Sequence, residues 1–205
     1  MTDTKLLLAT TNQGKTQEIN DFLKNLPAQV FSLKDLKVRA FFEEKGRTFL
    51  DNARGKSLFY SQKWKDMILG EDSGLAIEYL DGAPGIFSAR FSGPGATIEK
   101  NIMKVLDLLK DVPQKKRQAK FVSCIMLSLQ GKVLTQIQEE VQGVITTETK
   151  GRNGFGYDPI FYFSPLKKTF AELSPDEKNK ISHRGRSLKR LKDFLEEYTH
   201  SLHNV

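Results

Sequence analysis

Three observations predict a mixed α/β protein. A short apolar run, Lys5-Leu6-Leu7-Leu8-Ala9, gives way at once to a polar turn and an amphipathic helical pattern. Further patterns with apolar residues at i, i+3, i+4 and i+7 alternate with apolar runs of strand length. The longest run, residues 119–129, ends on Gln130-Gly131, a hairpin signal. No repeat, low-complexity segment or linker divides the chain, so residues 1–205 are read as a single domain.

Each element follows in order. Residues 5–9 have the length and apolarity of a buried strand, and residues 10–14 form the polar turn. The helix beyond sets Ile19, Phe22, Leu23 and Leu26 on one face until Pro27 stops it. A second helix is expected over residues 48–64. Met67-Ile68-Leu69 and Leu75-Ala76-Ile77 read as strands on either side of an acidic turn. Asp81-Gly82-Ala83-Pro84-Gly85 is a turn by composition. Ile98, Ile102, Val105, Leu106 and Leu109 mark a third helix ending near Pro113. Val133, Ile137, Val141 and Ile145 are spaced by four, which suits a helix as well as a strand; β-branched content and Gly143 decide for the strand. Leu188, Leu191, Leu195, Tyr198 and Leu202 line a final helix.

Composition narrows the function classes. A hydrophobic share of 39% suffices for a core, and 28% charged residues is ordinary for a water-soluble protein. The net charge of +7 favours anionic partners without separating nucleotides from nucleic acid or membrane surface. With Cys124 the only cysteine, a disulfide framework and a thiolate-rich metal site are excluded. Its apolar surroundings, Phe121 to Leu127, suit a small buried side chain rather than a nucleophile. Residues 1–9 lack the pattern of a signal peptide, and no apolar run approaches the roughly 20 residues of a membrane helix. A cytoplasmic protein is the expectation.

Several segments carry candidate chemistry, each with a plain structural alternative. Asn12-Gln13-Gly14-Lys15-Thr16 lies between a strand and a helix, where backbone N–H groups and a lysine attract phosphate. It nearly spells a Walker A loop, but Ala9 replaces the first glycine; the alternative is an ordinary helix start. Asn52 and Lys56 share a helix face four residues apart, beyond Glu43-Glu44, unless that face is simply solvated. Glu71-Asp72 places like charges side by side, which is unfavourable without a cation or proton. Mg²⁺ needs few protein carboxylates when water and phosphates complete its shell, and on an extended strand only one of the pair would face it. The alternative is an exposed acidic turn. Gly154-Phe155-Gly156-Tyr157-Asp158-Pro159 can bring aromatic faces to a purine, or be a glycine turn with buried rings. His183 and Arg184 supply donors at the start of the last helix, an end where positive charge is electrostatically disfavoured.

Together these segments resemble the inosine triphosphate pyrophosphatase family, which acts on noncanonical purine nucleoside triphosphates. The resemblance rests on Thr10-Thr11-Asn12-Gln13-Gly14-Lys15, Phe49-Leu50-Asp51-Asn52-Ala53, Glu71-Asp72-Ser73-Gly74-Leu75, Gly82 through Arg90, Gly154 through Pro159, and Ser182-His183-Arg184-Gly185. They stand in the family's order over nearly the whole chain. The resemblance implies an elongated two-lobed α/β structure around a long mixed sheet, with flanking helices and a nucleotide cleft between lobes. It also implies a homodimer whose partner is a small nucleotide, with no stable nucleic-acid complex and no membrane. The implied reaction is Mg²⁺-dependent hydrolysis of ITP, dITP and XTP between the α- and β-phosphates, giving a monophosphate and pyrophosphate. Such a reaction cleanses the nucleotide pool.

Carried over by position, the resemblance assigns Thr10, Asn12, Lys15, Lys56 and Ser73 to the phosphates. Glu44 and Asp72 organise Mg²⁺, and Asp72 is also the catalytic residue that orients the attacking water. Phe155 and Tyr157 stack on the base, with Asp158, Lys178, His183 and Arg184 around its edge. Donors from His183 and Arg184 would pair with the C6 oxygen of hypoxanthine or xanthine and oppose the amino group of adenine. Glu71 stands where many bacterial members carry Asp, Thr11 where many carry Gly or Ser, and Arg152-Asn153 is an uncommon lead into the Gly-Phe-Gly-Tyr segment.

Two other readings compete. A nucleic-acid binder would use Lys115-Lys116-Arg117 and the Lys189-Arg190-Lys192 face, and would bind in a salt-dependent way without turnover. A P-loop NTPase would use residues 9–16 and release orthophosphate, but no Walker B strand accompanies them.

Overall fold

A computed structural model describes residues 4–24, 28–36, 38 and 41–203. Residues 1–3, and Leu26 and Pro27 at the expected end of the first helix, lie outside the described residues. The chain runs β1 (Thr4–Leu8), α1 (Gln13–Leu23), β2 (Ala28–Ser32), α2 (Phe49–Ser61), β3 (Met67–Ile77) and α3 (Ile98–Leu108). It continues through β4 (Gln118–Leu129), β5 (Lys132–Ile145), β6 (Phe161–Phe163), β7 (Lys168–Thr169), α4 (Pro175–Ile181) and α5 (His183–His203). The sheet order is β2-β1-β3-β4-β5-β6-β7. β1 runs parallel to both β2 and β3, whereas β5–β6 and β6–β7 are antiparallel, so the sheet is mixed and open.

The expected α/β class is therefore found, with one correction inside it. The two short strands expected around an acidic turn are a single eleven-residue strand, β3, with Glu71 and Asp72 in its interior. Glycines and adjacent carboxylates read as a turn because both are normally expelled from central strands. Here the glycine at position 70 serves close packing. A Cβ there would stand 2.2 Å from the Ala53 carbonyl oxygen, so α2 lies directly on the strand. The strand reading of residues 132–145 holds.

The chain divides into two compact units. The first comprises residues 1–72, 123–139 and 184–205. Its β1 is apolar on both faces, as a central parallel strand should be. Leu6 and Leu8 pack with Leu69, Ile19 and Leu23 of α1, and Leu188 and Leu191 of α5. Leu7 and Ala9 point the other way, joining Ile68 and Tyr60 of α2. The second unit comprises residues 73–122 and 140–183. Its core sets Ile102, Val105 and Leu109 against Leu75, Ile77, Phe121, Val141, Ile145, Phe161 and Phe170. Arg117, read from sequence as part of a basic run, is buried there and donates to the carbonyls of Leu109, Val112 and Thr146. It thereby joins the chain after α3 to the residue after β5, sharing the Leu109 carbonyl with the Val112 N–H.

Candidate functional site

Strand alternation sorts the acidic pair of β3. Leu69 and Glu71 share the face covered by α1 and α5, while Ile68, Gly70 and Asp72 share the face covered by α2. Glu71 is 1% exposed, and an isolated carboxylate could not be held there ionised. Lys15 Nζ lies 2.8 Å from its Oε2, and Arg184 Nε and Nη2 each lie 3.3 Å from its Oε1. Burial alone would raise the Glu71 pKa, but the charges of Lys15 and Arg184 outweigh it and hold the carboxyl well below the usual range. Arg184 also pairs with Glu18 of α1.

Asp72 receives a different environment. Its Oδ2 accepts from Asn52 Nδ2 at 3.0 Å, whereas its Oδ1 faces Lys15 Nζ at 3.6 Å and Lys56 Nζ at 3.7 Å. Burial raises its pKa; Lys15 and Lys56 pull it down, Glu44 and Glu71 push it up, and the balance stays above the usual aspartate value. Lys56 is desolvated too, yet Asp72 and Glu44, the latter with Oε1 at 2.8 Å, raise its pKa and keep it cationic. A buried carboxylate oxygen thus sits beside two ammonium groups, with Glu44 on one of them.

Local sequence places these groups. Asn12 is the N-cap of α1, its Oδ1 accepting from Lys15 N at 3.0 Å, and Thr10 Oγ1 accepts from Asn12 N at 3.2 Å. Thr48 and Asp51 form a capping box that starts α2 and sets Asn52 and Lys56 one turn apart. Thr10, Asn12, Lys15, Glu44, Lys56, Asp72 and Arg184 all belong to the first unit.

Ser73, Phe155, Tyr157, Asp158, Lys178 and His183 belong to the second unit. Gly154 and Gly156 adopt φ of +73° and +63°, a left-handed backbone that folds the segment back on itself. Asp158 Oδ2 then accepts from Phe155 N at 2.9 Å and from Lys178 Nζ at 2.6 Å. Lys178 Nζ also lies 5.1 Å from the Phe155 ring centroid. Tyr157 is not presented like Phe155. It is 4% exposed, within the apolar core, and its hydroxyl donates to the Ser88 carbonyl at 2.9 Å. Burial pushes its phenol pKa up. His183 stacks on Phe121 with ring centroids 4.7 Å apart.

Sequence reasoning left two participants unassigned. Asn52 was noted for sharing a face with Lys56, but its bond to Asp72 depends on long-range packing. Glu18 gives no local signal, since an acidic residue on an exposed helix turn is ordinary.

The open mixed sheet and the buried lysine–carboxylate cluster define an α/β protein equipped to handle a polyanion. The chain belongs to the Ham1 family, whose profile matches residues 6–194. It is 42% identical over 191 residues to the dITP/XTP pyrophosphatase of Thermoanaerobacter pseudethanolicus, covering 93% of this chain and 96% of that one. Identity to the dITP/XTP pyrophosphatase of Staphylococcus epidermidis strain ATCC 12228 is 43% over 195 residues, covering 95% and 98%. The Ham1 protein of Staphylococcus aureus superposes with a TM-score of 0.85 at 38% identity, covering 95% of this chain and all of that one. The family resemblance drawn from the sequence motifs is borne out.

Proposed function

We propose that the protein hydrolyses dITP, XTP and ITP between the α- and β-phosphates, releasing a nucleoside monophosphate and pyrophosphate. The observation that carries this reading is the Asp72 carboxylate held beside Lys15 and Lys56 in a member of the Ham1 family. Lys15 and Lys56 bind phosphate oxygens by charge, and Asn12 and Thr10 fix the helix start from which Lys15 projects. Asp72 orients the attacking water through Oδ1, and its raised pKa suits it to accept the proton better than an ordinary aspartate. Ser73 contacts phosphate.

Mg²⁺ fits the donors present. Asp72 and Glu44 offer hard carboxylate oxygens that converge on one ammonium, and like-charge repulsion contributes to the raised Asp72 pKa, a condition that a divalent cation relieves. The ion, held by these two residues, would neutralise charge on the phosphate oxygens.

For the base, Phe155 supplies a stacking face and Tyr157 supports its loop from the core. Lys178 and Asp158 address the ring edge as a buried ion pair 2.6 Å apart. His183 and Arg184 provide the donors for the C6 oxygen. On the family resemblance, the protein is read as a cytoplasmic homodimer, which light scattering after gel filtration tests for assembly. Among the described residues no helix is long and apolar enough to cross a membrane.

The decisive assay supplies Mg²⁺ with dITP, XTP, ITP, GTP and ATP in parallel, and measures pyrophosphate and orthophosphate separately. Pyrophosphate chiefly from dITP, XTP and ITP is expected. Orthophosphate from ATP or GTP would replace this reading with the P-loop one.

A further inference from the structure

Asn52 is completely buried, and both ends of its amide are engaged. Its Oδ1 accepts from the backbone N–H of Gly46 at 2.9 Å, while its Nδ2 donates to Asp72 Oδ2 at 3.0 Å. A backbone N–H can only donate, so the amide oxygen must face Gly46 and the amino group must face Asp72. The orientation is therefore set by chemistry. It makes the two oxygens of Asp72 unequal, since Oδ2 is occupied by a neutral donor and Oδ1 is left toward Lys15 and Lys56.

The other end of the amide holds the segment that carries Glu44. Residues 41–46 have no regular secondary structure, so no ladder or helix positions the Glu44 backbone. The Gly46 N–H bond ties this segment to α2 two residues beyond Glu44. There is no spare room at the tie, for a Cβ on Gly46 would stand 2.6 Å from Asn52 Oδ1 and 2.7 Å from Asp51 Cβ.

We infer that Asn52 is a positioning residue that sets Asp72 and Glu44 in register through one side chain. This role rests on the pyrophosphatase reading proposed above. It assigns Asn52 no contact with the nucleotide, only control over the two carboxylates that would hold the metal ion and orient the attacking water. It also explains why α2 must approach β3 as closely as Gly70 permits, because a shift of that helix would pull the amide from Asp72.

Three variants separate its two bonds. Asn52→Leu keeps the volume and removes both. Asn52→Asp keeps an acceptor for Gly46 but replaces the donor to Asp72 with a like charge. Gly46→Ala leaves the donor and crowds the tie. Loss of a partner that orients such a carboxylate typically costs about 10–100-fold in activity. Asn52→Leu and Asn52→Asp should therefore lower kcat for pyrophosphate release by about that factor, with KM for XTP within about threefold. Hydrogen exchange of the Gly46 amide supplies a readout independent of turnover. Exchange should quicken by about tenfold or more in Asn52→Leu, and stay close to wild type in Asn52→Asp. Gly46→Ala should lower kcat with the Asn52 side chain intact. A wild type that releases no pyrophosphate from dITP or XTP would remove the functional reading, and this role with it. An active wild type with Asn52→Leu within twofold in kcat, or with unaltered Gly46 exchange, would overturn the positioning role alone.

Discussion

At the scale of single residues, Glu71 and Asp72 show how neighbours on one strand acquire opposite properties. Glu71 is pressed between Lys15 and Arg184 and stays ionised far into acid, whereas Asp72 is held above its ordinary pKa. A carboxyl whose pKa is depressed by folding stabilises the native state above its unfolded value, and that contribution fades as pH falls toward the folded value. Stability should thus decline as pH drops below the ordinary glutamate value of 4.5. Glu71→Gln should remove part of that decline and cost about 3 kcal/mol at neutral pH, because Arg184 and Lys15 lose the carboxylate they share and keep only Glu18 and Asp72 as counter-charges. Urea unfolding across pH measures both. Asp72 has the opposite sign of shift, and its mutation acts on rate. Asp72→Asn should cut kcat by about 10²–10⁴-fold while nucleotide affinity by calorimetry changes little. Turnover near that of wild type would remove Asp72 from the chemistry. His183→Ala should narrow the preference for ITP over ATP by about tenfold, the worth of one buried hydrogen bond, as read from kcat/KM ratios.

At the scale of elements, the helix-on-strand contact at Gly70 is the sharpest constraint. Gly70→Ala would drive a methyl group into the Ala53 carbonyl and Ser57, so α2 must shift from β3. Overpacking of this kind costs about 1–3 kcal/mol, and here it also moves Lys56 away from Asp72. A lower melting temperature together with a lower kcat is expected; unchanged activity would mean that the helix can slide without consequence. This contact also marks where sequence legibility ended. Periodicity located α1, α3 and α5, and composition located β1, β4 and β5, because each buries a stripe of its own apolar side chains, whereas the face that α2 buries is largely polar. The continuity of β3 was hidden, since its glycine and carboxylates are acceptable only through α2, Lys15 and Arg184, all distant in sequence. α4 was missed although Ser174, Pro175 and Glu177 spell a capping box with proline at the first turn. β6 and β7 are too short for a pattern to develop, and β2, as long as β1, lacks its apolar run. The site followed the same rule: motif positions identified its charged groups, but the pairing of Asn52 with Asp72 and of Glu18 with Arg184 needed the fold.

For the whole molecule, three of the four boundaries between the two units fall inside β3, β4 and β5, and the fourth at the start of α5, so none falls in a linker. Neither unit can lose its part of a strand without unravelling a strand of the other. Thermal unfolding by calorimetry should therefore appear as one cooperative transition. Two separated transitions would show that the shared strands break at the boundaries. The basic residues of α5 that a nucleic-acid binder would use, Lys189, Arg190 and Lys192, each have a carboxylate partner. Arg190 pairs with Glu139, Lys189 with Asp193 and Lys192 with Glu196, while Arg117 is spent on buried carbonyls. Fluorescence anisotropy with a labelled oligonucleotide at about 0.15 M salt should show no specific binding.

Cys124 lies buried within β4, and its thiol is pushed up to about 12 by burial and by the charges of Glu71 and Asp72. Thiolate, the form that reacts, is scarcely populated at neutral pH while the strand is in place. Alkylating reagents and mild oxidants should pass the native protein by and label it only when β4 opens. The chain thereby carries its own clock for the opening of that strand, readable by mass spectrometry without any added probe.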